Sequence, residues 1–131
     1  MQTDDIAYAT AIDLAAAIRA KAVSPVEVAD ALLARIAAVD PRINAFCAID
    51  GDAVRRDARA AEAAVAAGAP LGPLHGVPVS VKDVIFTKNL RTTRGSPIYA
   101  DLVPDRDSPL VERLRQAGAV VLGKTNTPEF G

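Results

Sequence analysis

Apolar residues recur at helical spacing through the first half of the chain. Thr10 is a candidate cap for a helix that ends near Ala20. A second helix has a fuller start signal, because Ser24 can cap it, Pro25 suits its first turn and Glu27 completes a capping box. Its apolar residues share one face: Val28, Leu32, Ile36 and Val39. We expect this helix to end at about Asp40, just before Pro41.

A short apolar run and a third helix complete this helical part. The run "INAFCAI", residues 43–49, is a candidate strand, and a helix follows from about Asp52 to Ala67, closed by Gly68. Residues 63–81 carry no Asp, Glu, Lys or Arg, but they contain three Gly and three Pro. We therefore interpret them as helix end, loop and strand, and not as a membrane span.

The pattern changes to β-type in the second half. The segment "GVPVSVKDVIF" predicts a buried strand over 77–85, and "AVVL" predicts another over 119–122. Between them lie a polar loop and a helix over 109–117, with Ser108 as cap and Gly118 as stop; Leu110, Val111 and Leu114 are expected to face inward. This order predicts a βαβ unit with parallel strands and a right-handed crossover.

The predicted elements indicate an α/β fold that needs more strands than this sequence supplies. Parallel strands this apolar need neighbours on both edges and helices on both faces. We divide the chain into a helical preface, about 1–69, and the start of an α/β core, about 70–131, within one domain. We expect the sequence to be the N-terminal part of a larger protein.

Composition and charge exclude several classes of partner. The chain has 131 residues, 15 basic and 16 acidic, and the charges are scattered, so neither a nucleic acid nor a membrane surface is an expected partner. The single cysteine, Cys47, lies in an apolar run and is interpreted as a small buried hydrophobe. With no internal disulfide and an acidic N-terminus unlike a secretory signal, we expect a cytoplasmic protein.

The stretch "GAVVLGKT", residues 118–125, fits the pattern G-x-x-x-x-G-K-[ST] of a phosphate-binding loop. Such a loop follows a strand and precedes a helix, which begins at its lysine. Here the predicted order is helix, strand and loop, and Pro128 lies where the following helix would form its hydrogen bonds. Nucleotide binding at 118–125 therefore stays as a minor alternative.

Lys82 is the most unusual residue of the predicted strands. Alternation places it on one face with Ser80 and Val84, and places Asp83 on the other. If its face is covered, loss of water disfavours the ammonium, and the neutral amine can act as a general base. The other interpretation is a strand-end lysine whose long stem reaches water. The residues alone leave both open.

Several segments together resemble the N-terminal part of the amidase signature enzymes. They are, in order, "SPVEVADALLARIAAVDPRINAF", "GPLHGVPVSVKDVIF", "RTTRGSPIYAD" and "DSPLVERLRQAGAVVLGKTNTPEFG". The resemblance runs from about Ser24 onward, and a match of several segments in one order is more specific than a single short motif. It implies the amidase signature fold, a mixed sheet flanked by helices.

The resemblance also implies a reaction and a role for one residue. Family members hydrolyse carboxamides with a Ser, cis-Ser, Lys triad, and the lysine of their "VKD" segment corresponds to Lys82, the base of the triad. Both serines belong to a Gly/Ser-rich segment that follows "TNTPEFG" in the family, so we expect them beyond the end of this chain and expect the fragment alone to be inactive. A small-molecule amide is the expected substrate, and the chemistry needs no metal or cofactor.

Two further points stay open from the sequence. The version "TNTPEFG" favours a free-standing hydrolase over the amidotransferase subunit of the same family, which remains the alternative, and a homodimer is compatible with the sequence. Thr125, Asn126 and Thr127, with Lys124 beside them, follow a strand at its C-terminal end and are candidates for lining the substrate pocket, or for a capped turn before Pro128.

Three positions depart from the family pattern, and one histidine needs an interpretation. Lys88, Asn89 and Arg94 replace residues that are often smaller, or Gly, in relatives, and this puts the shape of their loop in doubt. His75 is interpreted as structural, because a lone histidine cannot build a metal site and the implied chemistry needs none.

Overall fold

A computed structural model describes residues 3–131, so the first two residues of the predicted helical preface lie outside the described part. The helical part contains α1 (Thr3–Tyr8), α2 (Ala11–Arg19), α3 (Pro25–Ile43) and α4 (Gly51–Ala66), with strand β1 (Phe46–Ala48) between the last two. The second part contains β2 (Pro78–Lys82), a single 3-10 turn (Pro97–Tyr99), α5 (Pro109–Gln116) and β3 (Val120–Thr125).

Side-chain caps start the helices where the sequence predicted them. Thr10 accepts a hydrogen bond from the Asp13 amide at the start of α2. At α3, the Glu27 amide donates to the Ser24 hydroxyl and the Ser24 amide donates to the Glu27 carboxylate, which completes the predicted capping box. Ser108 accepts from the Val111 amide at α5. The three caps are confirmed.

Helix α3 ends later than predicted. It continues through Pro41 to Ile43 and stops at Asn44, whose φ of 52° lies in the left-handed region. Proline removes one amide donor from the last turns, but the chain compensates by side-chain bonds at the helix end. The Asp40 carboxylate accepts from the amides of Ala45 and Phe46, so the last turn is held without the missing donor.

The sheet is mixed, with strand order β1-β3-β2. β2 runs parallel to β3, which confirms the parallel pairing of the predicted βαβ unit, and β1 runs antiparallel to β3. β3 is longer than predicted because it pairs on both sides, and Thr125 lies opposite both Phe46 and Lys82. β2 is shorter than predicted and ends at Lys82, where the chain turns.

Helices cover both faces of this small sheet. On one face Val120 and Leu122 of β3 pack with Val54 and Ala58 of α4. On the other face Val121 packs with Val81 and with Val111 of α5, which is fully buried. Another buried cluster joins the helices of the first part: Ile6, Leu14, Ile18, Val23, Val28, Ala31 and Val65.

The expectation that Leu110 faces inward is wrong, since 53% of it is exposed. α5 is only eight residues long and covers a narrow strip of the sheet, which Val111 and the partly buried Leu114 fill.

Residues 63–81 form the end of α4, a loop and the start of β2, as predicted. Among the described residues, no helix combines the length and the apolar character that crossing a membrane requires.

Candidate active site

The C-terminal ends of β2 and β3 meet at one edge of the sheet. Lys82 is the last residue of β2, and its register partner across the parallel pair is Thr125, the last residue of β3. The structure therefore brings together the predicted base and one of the predicted pocket residues. This is the edge at which open α/β sheets place their ligands.

The side chain of Lys82 is exposed, like that of Ser80 on the same strand. Its ammonium forms no hydrogen bond or ion pair with any described residue. Of the two interpretations that the sequence left open, burial in the strand and access to water, the second holds for these residues. Ser80 and Lys82 point away from the face of β2 on which Val81 packs with Val111 of α5.

The next residue, Asp83, points to the opposite side and is buried, with 2% of it exposed. One carboxylate oxygen accepts from the amide and the hydroxyl of Thr93, the amide at 3.2 Å. The other oxygen lies 4.0 Å from the Nζ of Lys124. The backbone of Asp83 is also held, since its amide donates to the Thr125 carbonyl and its carbonyl accepts from the Arg94 amide, both at 2.9 Å.

Lys124, one residue before Thr125, is completely buried. The sequence placed it at most at the edge of a pocket, and this is wrong, because the loop after β2 folds over the end of β3. The Nζ of Lys124 donates to the Ile85 carbonyl, to the Thr87 hydroxyl at 3.1 Å and to the Thr92 hydroxyl at 2.9 Å. Burial lowers the pKa of Lys124 from 10.5 to about 8, against the opposing attraction of Asp83.

The two threonine hydroxyls are oriented to receive this lysine. Thr87 donates its own proton to the Ile85 carbonyl and Thr92 donates to the Leu90 carbonyl. Their oxygen lone pairs are therefore free to accept from the ammonium, and the three protons of Lys124 all have acceptors. Sequence reasoning missed this cluster, although a signal existed: a charged residue stands in an apolar run near the end of each parallel strand.

Cys47 on β1 lies beside the same cluster. Its thiol donates to the Lys124 carbonyl at 3.4 Å, and it is half-buried, which is less than the sequence suggested. Burial first, and then the negative charge of Asp83, raise the pKa of the Cys47 thiol from 9.0 to about 11. Because the thiolate is the reactive form, this environment favours the interpretation of Cys47 as an unreactive packing residue.

The stretch "GAVVLGKT" does not have the geometry of a phosphate-binding loop. Gly118 ends α5 with a φ of 91°, and residues 120–125 form β3. The order is helix, stop and strand, as the sequence predicted, and Lys124 lies inside the strand. A lysine that is fully buried among a carbonyl and two hydroxyls cannot reach a phosphate in solvent.

The other predicted pocket residues lie just beyond the edge of the sheet. The amide of Asn126 donates to the Ala45 carbonyl and its side chain donates to the Asn44 carbonyl, at 2.8 and 3.3 Å. Thr127 donates its amide to the Asn126 side chain, as in a capped turn before Pro128. These bonds agree with the interpretation of these residues as a capped turn before Pro128. A role of the same residues in substrate binding stays a prediction.

The loop after β2 accommodates its departures from the family pattern by left-handed backbone. Asn89 and Arg94 have φ of 61° and 55°, in the region that favours glycine. Arg94 also stacks its guanidinium over the rings of Tyr99 and Phe130, at 5.4 and 5.8 Å. Asn89 and Arg94 thus take backbone conformations that are strained for residues other than glycine, and whether the loop differs in shape from that of relatives stays a prediction.

His75 and the serines take structural positions. The Nε2 of His75 lies 2.9 Å from the Ala61 carbonyl of α4, which agrees with a structural role. Among the described residues there is no cluster of His, Cys, Asp and Glu suited to a metal ion. Ser24 and Ser108 are caps, and the buried Ser96 donates to Glu129 at 2.8 Å, so Ser80 is the one serine whose side chain forms no bond with a described residue.

Comparison with known proteins identifies the class to which this mixed sheet and its lysine belong. The family model described as Amidase matches residues 27–131, and the chain belongs to this family. Its fold agrees with solved structures of the family: the peptide amidase from Stenotrophomonas maltophilia superposes with a TM-score of 0.90 at 37% identity, covering 98% of this chain and 26% of that one.

Curated relatives of two kinds are similar to the chain. A glutamyl-tRNA(Gln) amidotransferase subunit of Acidothermus cellulolyticus is 49% identical over 96% of this chain and 25% of its own length. An acylamidase of Rhodococcus erythropolis is 41% identical over 100% of this chain and 28% of its own length. The chain thus spans about a quarter of the length of the curated relatives it matches.

Proposed function

We propose that this chain supplies the general base for the hydrolysis of carboxamide C–N bonds, and that the base is Lys82. The observation that supports the proposal is the position of Lys82: it ends β2 at the edge where the C-terminal ends of two parallel strands meet, in a chain that belongs to the Amidase family. Its side chain is exposed and forms no bond with a described residue, so it is available to a group that would cover this edge. The proposed substrate is a small molecule with a linear amide.

The proposed chemistry follows from the resemblance to the Ser, cis-Ser, Lys enzymes. Neutral Lys82 accepts a proton from the bridging serine, the bridging serine accepts the proton of the nucleophilic serine, and that oxygen attacks the amide carbonyl. Backbone amides stabilise the oxyanion, and the amine or ammonia leaves with the returned proton. A lysine is neutral near neutral pH only when water is excluded, so the proposal requires a segment that covers Lys82.

The two serines are proposed to come from such a covering segment. Ser24, Ser96 and Ser108 are engaged in caps or in a buried bond, and Ser80 lies on the same strand as the lysine, two residues away. None of them stands in a Gly/Ser-rich sequence like the family's nucleophile segment. We therefore propose that residues 1–131 alone hydrolyse no carboxamide.

The test uses the protein encoded by the reading frame that contains these residues, with any continuation. Wild type is expected to hydrolyse simple carboxamides, and Lys82→Ala is expected to lower kcat by about 10²–10⁴-fold, the usual contribution of a general base. Lys88→Ala is the matched control, since Lys88 is an exposed lysine six positions along the chain. Full activity in Lys82→Ala would show that Lys82 is not the base.

A second candidate function is that of an amidotransferase subunit, which supplies ammonia to glutamyl-tRNA(Gln). The identity of 49% to such a relative, against 41% to the acylamidase, favours it. The same preparation separates the two. A free-standing amidase hydrolyses carboxamides without other proteins, whereas an amidotransferase component converts glutamyl-tRNA(Gln) only when its partner proteins are added. Both candidates use Lys82 as the base.

A further inference from the structure

The loop that follows β2 encloses a buried charge pair that no proposed catalytic step uses. We infer that Lys124 and Asp83 form a positioning pair, which fixes the turn after β2 so that Lys82 projects outward at the ligand-binding edge. The inference rests on the proposed role of Lys82. It assigns Lys124 and Asp83 no contact with substrate.

Asp83 determines the direction of Lys82 because the two residues are consecutive. β2 ends at Lys82, and Asp83 is the first residue of the turn that follows it. Asp83 is fixed inward by its bonds to Thr93, by the Lys124 ammonium 4.0 Å away, and by its two backbone bonds to Thr125 and Arg94. Because Asp83 is held at its side chain and at its backbone, the peptide that joins it to Lys82 is fixed, and so is the point from which the exposed Lys82 side chain projects.

Lys124 closes the other end of the same loop. Its ammonium reaches Ile85, Thr87 and Thr92, which lie before and after the tip of the loop. One buried cation thus joins the two sides of the loop to β3, the strand that also carries Thr125. The ammonium is fully hydrogen-bonded within the loop, and its contact with the Asp83 carboxylate at 4.0 Å is a charge contact without a hydrogen bond.

The pair is placed for positioning and not for proton transfer. Lys124 is completely buried, and each of its three protons has an acceptor within the loop, so it has no path to a substrate at the edge. The Asp83 carboxylate is likewise buried and faces Thr93 and Lys124. Their effect on the reaction therefore passes through the backbone of residues 82 and 83.

The kinetic test uses the active enzyme that carries this chain. Thr92→Val removes one acceptor of Lys124 at nearly constant volume, and it is expected to lower kcat about tenfold with KM within about twofold, since a bond to a charged group is lost. Lys124→Met and Asp83→Asn are expected to lower kcat more. Their double variant should be no worse than the worse single one, because both act on the same turn. Lys88→Met, an exposed lysine of the same loop, should leave kcat unchanged.

The outcomes separate this inference from the proposed function. If Lys82→Ala keeps full activity, the proposed base is wrong. If Lys82→Ala is inactive while Thr92→Val and Asp83→Asn keep the kcat of wild type, the base stands and the positioning pair is refuted. Multiplicative effects of Lys124→Met and Asp83→Asn would also refute a joint action.

A second measurement needs no activity and covers the case in which Lys124→Met does not fold. In the protein that carries this chain, amide hydrogen exchange of Asp83 and Arg94 reports directly on the turn. Thr92→Val is expected to speed exchange at these two amides at least about tenfold relative to Val28 in α3. Equal acceleration at all three amides, or none at any, would show that the cluster stabilises the fold without fixing this turn.

Discussion

At the scale of single residues, the protonation of Lys124 makes the stability of this chain depend on pH. Burial lowers its pKa to about 8, while Asp83, Cys47 and Asp107 act against the shift. Between pH 8 and 10.5 the unfolded chain therefore holds a proton that the folded chain has lost. Unfolding then takes up a proton, so the free energy of unfolding rises with pH above 8.

We predict that this rise approaches about 1 kcal/mol per pH unit between pH 8 and 9, close to the limit for one proton. Lys124→Met removes the titrating group and should lose the rise, whether the variant is more or less stable overall. Urea unfolding of wild type and variant at pH 7.5, 8, 8.5 and 9 measures it. Parallel curves for the two proteins would contradict the buried, shifted lysine.

Cys47 limits the pH range over which the free energy of unfolding rises. Its folded pKa of about 11 exceeds the ordinary value of 9.0, so the folded chain keeps a proton that the unfolded chain releases. From pH 9 to 11 this makes stability fall with pH, opposing Lys124. In Cys47→Ala the rise due to Lys124 should therefore continue to about pH 10.5, which serves as a control for the assignment.

The two lysines show how far the site was predictable from sequence. Resemblance pointed to Lys82, and Asp83, which alternation placed on the other face of a longer strand, is buried in the turn that follows β2. Which lysine is buried was not predictable, because both stand in apolar runs near a strand end. Residues 83–95 determine which of the two lysines is buried. They form a loop without periodicity, and its threonines become acceptors for Lys124 only when the loop folds back over β3.

At the scale of secondary-structure elements, β3 holds the sheet together through a close approach at Gly123. A Cβ at this position would lie 2.5 Å from the Ala48 carbonyl and 2.9 Å from Ile49. Gly123 therefore lets β1 pair closely with β3, and it is not the glycine of a phosphate loop. The sequence located α2, α3 and α5 through their caps but did not predict α1, and strand lengths depend on pairing partners that local patterns do not contain.

We predict that Gly123→Ala destabilises the chain by about 2 kcal/mol or more, as overpacking against backbone does. Gly68→Ala is the matched control: its φ of 66° gives a backbone cost of about 1 kcal/mol, but no atom lies within 4 Å of the added carbon. Urea denaturation at pH 7 compares them. Equal losses in the two variants would mean that β1 does not approach β3 this closely.

At the scale of the whole molecule, the helical preface and the start of the α/β core share one buried cluster. Ala29 of α3, Val54 of α4 and Val120 of β3 pack together, so the first part covers a face of the sheet formed by the second. The boundary near residue 69 therefore marks a change in the sequence pattern from helical to β-type, and it does not separate two independent hydrophobic cores. A single domain stays a prediction, and the packing in this shared cluster is the observation that supports it.

We predict that the two parts unfold as one unit. Val54→Ala, at a residue with 2% exposure between α4 and β3, should cost about 2 kcal/mol through the cavity it leaves. In a single cooperative unit, hydrogen exchange at the slowest amides of α3 and of β3 should accelerate by the same factor. Val103→Ala, at a residue with 55% exposure, is the control and should change neither. If exchange accelerates in β3 while α3 keeps its protection, the helical part is a separate folding unit.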